Sequence, residues 1–270
     1  MKKTVFIKIL KQLYSNKTCQ SWIWLAALLA SWELATRFRL IPSYFLPPFS
    51  TVFANLIKQV TSGNLGVQAL NSLSVILAGF GIALAFAVII TLLCSWLQPI
   101  ETLFAMLSTV FNPLPAVALM PLIILWFGIS TGAMLAIIVH AVLWALVRQL
   151  LDGIRAIPKV YYEWSDNVEL SPLRKFTDVL LFAIMPHLIA GIRIGWGRAW
   201  RALIGAEMIF GMIGIMGGIG YYIYSARAFS RIADVMSGVV VIIIIGVVFE
   251  SVLFNQLENR TVKKWGMMRE

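Results

Sequence analysis

A chain of 270 residues that is 60% hydrophobic, with ten Trp and sixteen Phe and a mean hydropathy of +0.87, is not a soluble domain. Only 13% of the residues are charged, yet the net charge is +10; in a membrane chain such an excess belongs to basic loops beside anionic lipid, not to a nucleic-acid site. Apolar runs of about 20 residues recur without the period-two alternation of a β-barrel, so the expected fold is all-α: a polytopic helical membrane protein with about six transmembrane helices.

Residues 1–20 are basic and only weakly apolar, and read as a cytoplasmic N-terminal tail. The membrane domain is expected over 21–258, with a polar, basic cytoplasmic tail at 259–270. Cys19 and Cys94 are far apart and form neither a metal nor a redox motif.

The first apolar run, Trp22 to Thr36, carries Glu33, with Trp22, Trp24 and Trp32 as interface anchors. A proline-rich stretch follows. Thr51 to Gln59 then suits a short helix lying at the interface, its apolar residues at Val52, Phe53, Leu56 and Ile57. Leu73 to Trp96 is a clear span. Ile100 to Phe127 is apolar but holds Pro113, Pro115 and Pro121, which predicts a kinked or broken helix. Such a break either lines a transport path or is a packed proline kink. Further spans are expected over Ala133–Leu151, His187–Gly211 and Ile232–Gln256, with the glycine-rich 211–231 stretch a flexible outer turn.

With the N-terminus inside, fourteen of the twenty-two Lys and Arg fall in cytoplasmic segments and five in outer loops. This follows the positive-inside rule and puts both termini, and the 155–175 segment, in the cytoplasm.

That segment is the densest mixed-charge stretch. Pro158 suits the first turn of a helix, on which Tyr161, Trp164, Ser165 and Val168 share one face. Tyr162, Glu163, Asp166 and Glu169 lie around the other side, and Pro172 ends the segment. A helix on the lipid headgroups is one reading, disfavoured by three acids beside a negative leaflet. A helix entering a groove on a soluble partner is the other.

Inside the membrane, Arg198 and Arg201 share a broad face near the middle of the fifth span, with Arg193 able to snorkel and Glu207 able to pair with a neighbouring helix. Arg198, Arg201 and Glu207 are the candidate pathway residues: the arginines give the pathway a positive field for an anionic solute, or the charges belong to an ion-pair network between helices. His140, four residues before Trp144, reads as a packed or hydrogen-bonded histidine, with a proton relay as the alternative.

The stretch "DGIRAIPKVYYEWSDNVELSPLRKF" followed by "MPHLIAGIRIGWGRAWRALIGAEMIFG" resembles the coupling segment and following helix of ABC importer permeases of the nitrate/sulfonate/taurine type. "FLPPFSTVFANLI", "NSLSVILAGFGIAL", "NPLPAVALMPLIILWFGIS" and "GIGYYIYSARAF" extend the likeness over most of the chain, in order and spacing. The resemblance implies a permease subunit in the bacterial inner membrane, moving a small solute, such as nitrate, a sulfonate or taurine, from an extracytoplasmic solute-binding protein into the cytoplasm. It implies a second permease subunit in a homodimer and two cytoplasmic ATP-binding subunits. ATP and Mg would be held by those partners, with no cofactor and no enzyme activity in this chain, which has no G-x-x-x-x-G-K-[ST]. Pro158, Tyr161, Glu163, Trp164, Asp166, Val168 and Glu169 are then the residues expected to meet the ATPase. The family's Glu-Ala-Ala has its Glu at Glu163, but Trp164 and Ser165 replace the alanines, Asp166 a common basic residue and Glu169 a glycine. An Arg at the Arg198 place and a Glu at the Glu207 place are common in the family, which implies a shared structural role for those two, whereas Arg201 is less usual there. A self-sufficient secondary transporter or channel is the rival, resting on His140 and Glu33 and leaving the amphipathic segment unexplained. A membrane enzyme lacks any catalytic constellation.

Overall fold

The computed structural model describes residues 17–61, 63–171, 174–213 and 217–264, and every regular element among them is helical. Helix α1 (Lys17–Arg37) is followed by α2 (Phe49–Thr61), α3 (Leu65–Trp96) and α4 (Gln98–Phe111). A 3₁₀ turn (Ala116–Leu119) leads into α5 (Met120–Phe127). Then come α6 (Thr131–Arg155), the short α7 (Lys159–Asn167) and α8 (Leu181–Phe210), which enters through a π-helical turn. Helix α9 (Ile219–Ala228) precedes α10 (Ile232–Val247), which continues through π-helical turns to Lys263.

Four of these are long and apolar enough to cross a membrane: Leu65–Trp96, Thr131–Arg155, Thr177–Phe210 and Ile232–Lys263. The α4–α5 pair, bent by 92°, makes a fifth if it is counted as one broken span. About six were expected. The difference lies at α1, which is a helix as anticipated but is diluted by Gln20, Glu33 and three tryptophans. It is lashed to α2 instead: Trp32 Nε1 donates to the Pro47 carbonyl at 3.0 Å, and Glu33 accepts from the Ser50 amide at 3.0 Å and hydroxyl at 2.8 Å.

The broken third run has the cause the prolines predicted. Pro113 and Pro115 cannot donate to a helical ladder, so α4 ends at Phe111 and the chain restarts only beyond Pro115.

Helix α6 is the centre of the bundle, with Ile137, Ile138, Val142, Leu146 and Val147 fully buried. It packs antiparallel to α8 at backbone-close range. A Cβ on Gly153 would meet His187 at 2.8 Å, on Gly191 would meet Leu146 at 2.9 Å and on Gly195 would meet Val142 at 3.1 Å. Small residues at such seams let membrane helices gain dispersion contact that lipid cannot supply.

Three expectations need correction. Helix α2 does not merely lie at the interface: Val52 and Leu56 are buried, and Asn55 and Gln59 donate to Asp234 of α10 at 2.7 and 3.1 Å. The glycine-rich 211–231 stretch is not an open outer turn, because α9 forms there with Ile219, Tyr222, Ile223 and Ala226 buried; residues 214–216 lie outside the described residues. Arg193 does not snorkel but pairs with Glu250 at 3.1 Å and Glu258 at 3.5 Å on the continuation of α10.

Candidate transport and coupling sites

The break between α4 and α5 opens a cavity of about 310 Å³, lined by Asn112, the Pro113–Val117 stretch, His140, Arg198 and Arg201. Three elements meet there because Ala202 is small and because Gly205 admits Val117 of the 3₁₀ turn, which a Cβ would meet at 3.1 Å. Arg198 Nη1 donates to Asn112 Oδ1 at 2.7 Å, so its guanidinium is fixed by a neutral acceptor. Arg201 is exposed into the cavity. His140 is held from behind: Trp144 Nε1 donates to its Nδ1 at 3.2 Å, which leaves Nε2 to face the Leu114 carbonyl at 3.5 Å. Trp144 is itself stacked on Phe111 and Phe104, with ring centroids 5.4 and 5.6 Å away. His140 is thus hydrogen-bonded, as expected, and it also lines the cavity.

Glu207 is not part of this cavity. It is 2% exposed, and its carboxylate accepts from Ser72 Oγ of α3 at 2.7 Å and from the Gly220 amide at 2.8 Å. Ser72 in turn accepts from the Ile219 amide at 2.9 Å. The first amides of α9, which have no partner within their own helix, are therefore capped by side chains of two other helices. Nearby, Asn71 Nδ2 donates to the Gly217 carbonyl at 2.7 Å. Glycine is required here by space: a Cβ on Gly218 would lie 2.1 Å from Glu207 Oε1, and one on Gly220 would lie 2.5 Å from the Ile204 carbonyl oxygen. Arg198 and Glu207, expected to share a structural role, are not brought together.

At the other end of α6, Arg155 forms an ion pair with Glu101 at the start of α4. Helix α7 follows, with Pro158 immediately before its first turn. Tyr161 is 44% and Trp164 54% exposed, beside an apolar groove of about 510 Å³ that also involves Val160, Val179 and Phe182. Glu163 is exposed as well. Ser165 faces inward, fully buried, its hydroxyl donating to the Tyr162 carbonyl at 2.7 Å. Asp166 is engaged within the chain, accepting from Lys175 Nζ at 2.7 Å, and that ammonium sits 5.4 Å from the Tyr162 ring centroid.

The helix stops at Asn167, ahead of Pro172, which lies outside the described residues. Val168 stands at its end, exposed. Glu169 turns the chain with φ of 51°, its amide donating to Asp166 at 3.0 Å while the Leu170 amide donates to Ser165 at 3.1 Å. Those two bonds are the pattern of a Schellman stop, which is most often made by glycine.

The family model for the "binding-protein-dependent transport system inner membrane component" matches residues 98–261, more than half of the chain and all of the geometry from α4 to the continuation of α10. The chain belongs to this family.

Its relatives include a Bacillus subtilis permease protein named for aliphatic sulfonates transport, 25% identical over 240 residues and covering 89% of this chain and 85% of the relative. The taurine transport system permease protein of Escherichia coli is 26% identical over 231 residues, covering 84% and 82%. The nitrate import permease protein of a Synechocystis strain is 25% identical over 194 residues, covering 70% and 68%. The chain is therefore an ABC transporter permease, a multi-pass membrane protein.

Within this permease, sequence reasoning missed Asn71, Ser72 and Asn112. Ser72 and Asn71 precede the apolar run that reads as a span from Leu73, so they look like loop residues; α3 in fact begins at Leu65, burying Ser72 and half-burying Asn71. Asn112 sits between a helix end and a proline, the usual place of a turn residue, and nothing in the sequence points it at Arg198.

Proposed function

We propose that this permease is the membrane-spanning subunit of an ATP-driven importer. Extracytoplasmic binding protein delivers a small anionic solute, two copies of the chain form the pathway, and two cytoplasmic ATPase subunits, which hold the ATP and Mg, grip α7. Both termini and α7 lie on the cytoplasmic side, a placement supported by the concentration of Lys and Arg in those segments.

The observation that carries the coupling role is α7 itself. A nine-residue helix between two long spans keeps Tyr161 and Trp164 in solvent, beside an apolar groove. Aromatic residues left exposed at the rim of a groove are the usual anchors of a protein interface. Glu163 adds an exposed negative charge on the other side of the same short helix, while Asp166 is engaged within the segment by Lys175. The anionic class of solute is supported by the relatives' own named solutes, aliphatic sulfonates, taurine and nitrate, each of which carries a negatively charged oxygen group.

Substitution Trp164→Asp should leave insertion into the membrane intact and abolish co-purification of a co-expressed ATPase subunit, a loss of at least about 2 kcal/mol for an aromatic anchor. Normal co-purification would count against docking at α7. Uptake into vesicles driven by an ion gradient, with the chain alone and no ATPase, would sink the importer reading.

A further inference from the structure

We infer that the cavity at the α4–α5 break is an oxyanion-binding site within the membrane, built from a fixed guanidinium at Arg198 and a free one at Arg201. This rests on the reading above, that the chain forms the solute pathway.

Position comes first. The antiparallel seam pairs Gly191 of α8 with Leu146 of α6 and Gly195 with Val142, so Thr131 and Phe210 lie at the same face of the bundle. His140 is nine residues from that end of α6 and Arg198 twelve from that end of α8. At 1.5 Å per residue these are depths of about 14 and 18 Å, half-way through a hydrocarbon core of about 30 Å.

Charge comes second. The lining holds two arginines and no Asp or Glu. No ion pair involving Arg198 or Arg201 is formed among the described residues, whereas Arg193 on the same helix is paired twice. Guanidinium groups at mid-membrane are stable only with counter-charge or water. A structural network would have supplied a carboxylate; Glu207, the one acid of α8, is instead committed to the α9 cap.

Geometry comes third. Asn112 is uncharged, so its bond to Arg198 orients the fork without neutralising it and leaves further N–H donors for a ligand. Arg201 stands one turn away as an adjustable second arm. Planar five-donor forks suit ligands that present two or more oxygens on one centre, the shared chemistry of nitrate, carboxylate, bicarbonate and sulfonate groups. The other walls include Pro113, Leu114, Pro115 and Val117, which hold a small headgroup and offer no anionic partner to a cationic solute.

The test uses the whole complex, permease with ATPase and binding protein, in liposomes, with nitrate, taurine and methanesulfonate as probes. Wild type should show ATP-driven uptake of at least one of them. Arg201→Gln should lower that uptake by at least about tenfold, the loss of one charge-assisted hydrogen bond, with Arg201→Lys recovering part of it. Asn112→Asp, which keeps the contact but cancels the Arg198 charge, should lower it as far. Arg227→Gln removes one positive charge from exposed surface outside the cavity and should transport as wild type does.

Full uptake with Arg201→Gln and Asn112→Asp overturns the site and leaves the importer reading standing. So does an anionic lipid that co-purifies with wild type and is lost from Arg201→Gln while uptake persists, since the cavity would then hold a headgroup. A wild-type complex that drives none of the probes, or any other solute, at the expense of ATP overturns the importer reading itself.

Discussion

Glu207 and Arg201 stand six residues apart on α8, both charged side chains within one apolar span, and their surroundings differ in kind. Glu207 is shut away: two oxygens, two short hydrogen bonds, glycines on either side that admit no larger residue. Arg201 is left in an open cavity beside a second arginine, with no acid on the walls. Polar groups that hold a membrane fold together are satisfied within the chain, because lipid offers no substitute. Polar groups that meet a passing solute must be left unsatisfied until it arrives. If the oxyanion site proposed above is right, the same helix carries one of each, and the difference in wiring, more than the presence of charge, separates architecture from transport.

The largest effect should come from undoing the closed cluster. Glu207→Ala strands the Ser72 hydroxyl and the Gly220 amide, each costing about 1–3 kcal/mol when buried without a partner, so a loss of about 2–6 kcal/mol is expected. Thermal unfolding of the purified permease in detergent reads it as a lowered midpoint. An unchanged midpoint would mean that the α9 cap is dispensable and that Glu207 is free for another task.

Arg201→Gln supplies the other half. An exposed side chain with no ion pair among the described residues contributes little to the fold, so the midpoint should correspond to a change within about 0.5 kcal/mol, even as transport falls. Should the Arg201 variant unfold as readily as the Glu207 variant, the distinction between the two regions collapses, and Arg201 belongs to the structural framework after all.

Much of this fold was legible in composition and periodicity. Long apolar runs give spans, and the prolines at 113 and 115 gave the break, since a missing N–H is a local fact. The polar ends of helices were not legible. Asn71 and Ser72 look like loop until α8 and α9 are placed against them, Ser72 being 135 residues from Glu207, and Gly218 reads as part of a flexible turn when its real constraint is the Glu207 carboxylate. Arg198 and Arg201 could be picked out as charges in lipid, but their pairing state is decided by partners remote in sequence: Asn112 is 86 residues from Arg198. At α7 the helix and its exposed aromatics were foreseen from spacing, whereas the inward turn of Ser165 and the capture of Asp166 by Lys175 depend on how α8 begins.

The smallest effect concerns how open the α7 region is. Glu169 occupies a left-handed backbone conformation, at φ of 51°, at the position where the resemblance noted from the sequence implies a glycine. A residue with a Cβ costs about 1–2 kcal/mol there. Glycine would remove that strain but gives up about 0.5–1 kcal/mol of chain entropy on folding. The balance favours Glu169→Gly by about 0.5–1 kcal/mol, which slows hydrogen exchange by roughly two- to fivefold at amides that depend on the turn. The amides to watch are those of Val168, Glu169 and Leu170, whose bonds to Trp164, Asp166 and Ser165 close the stop. Slower exchange there would mark Glu169 as a strained stand-in for glycine whose side chain holds nothing. Faster exchange would show that the carboxylate supports the turn, and would move α7 towards the closed, self-satisfied kind of site that Glu207 represents.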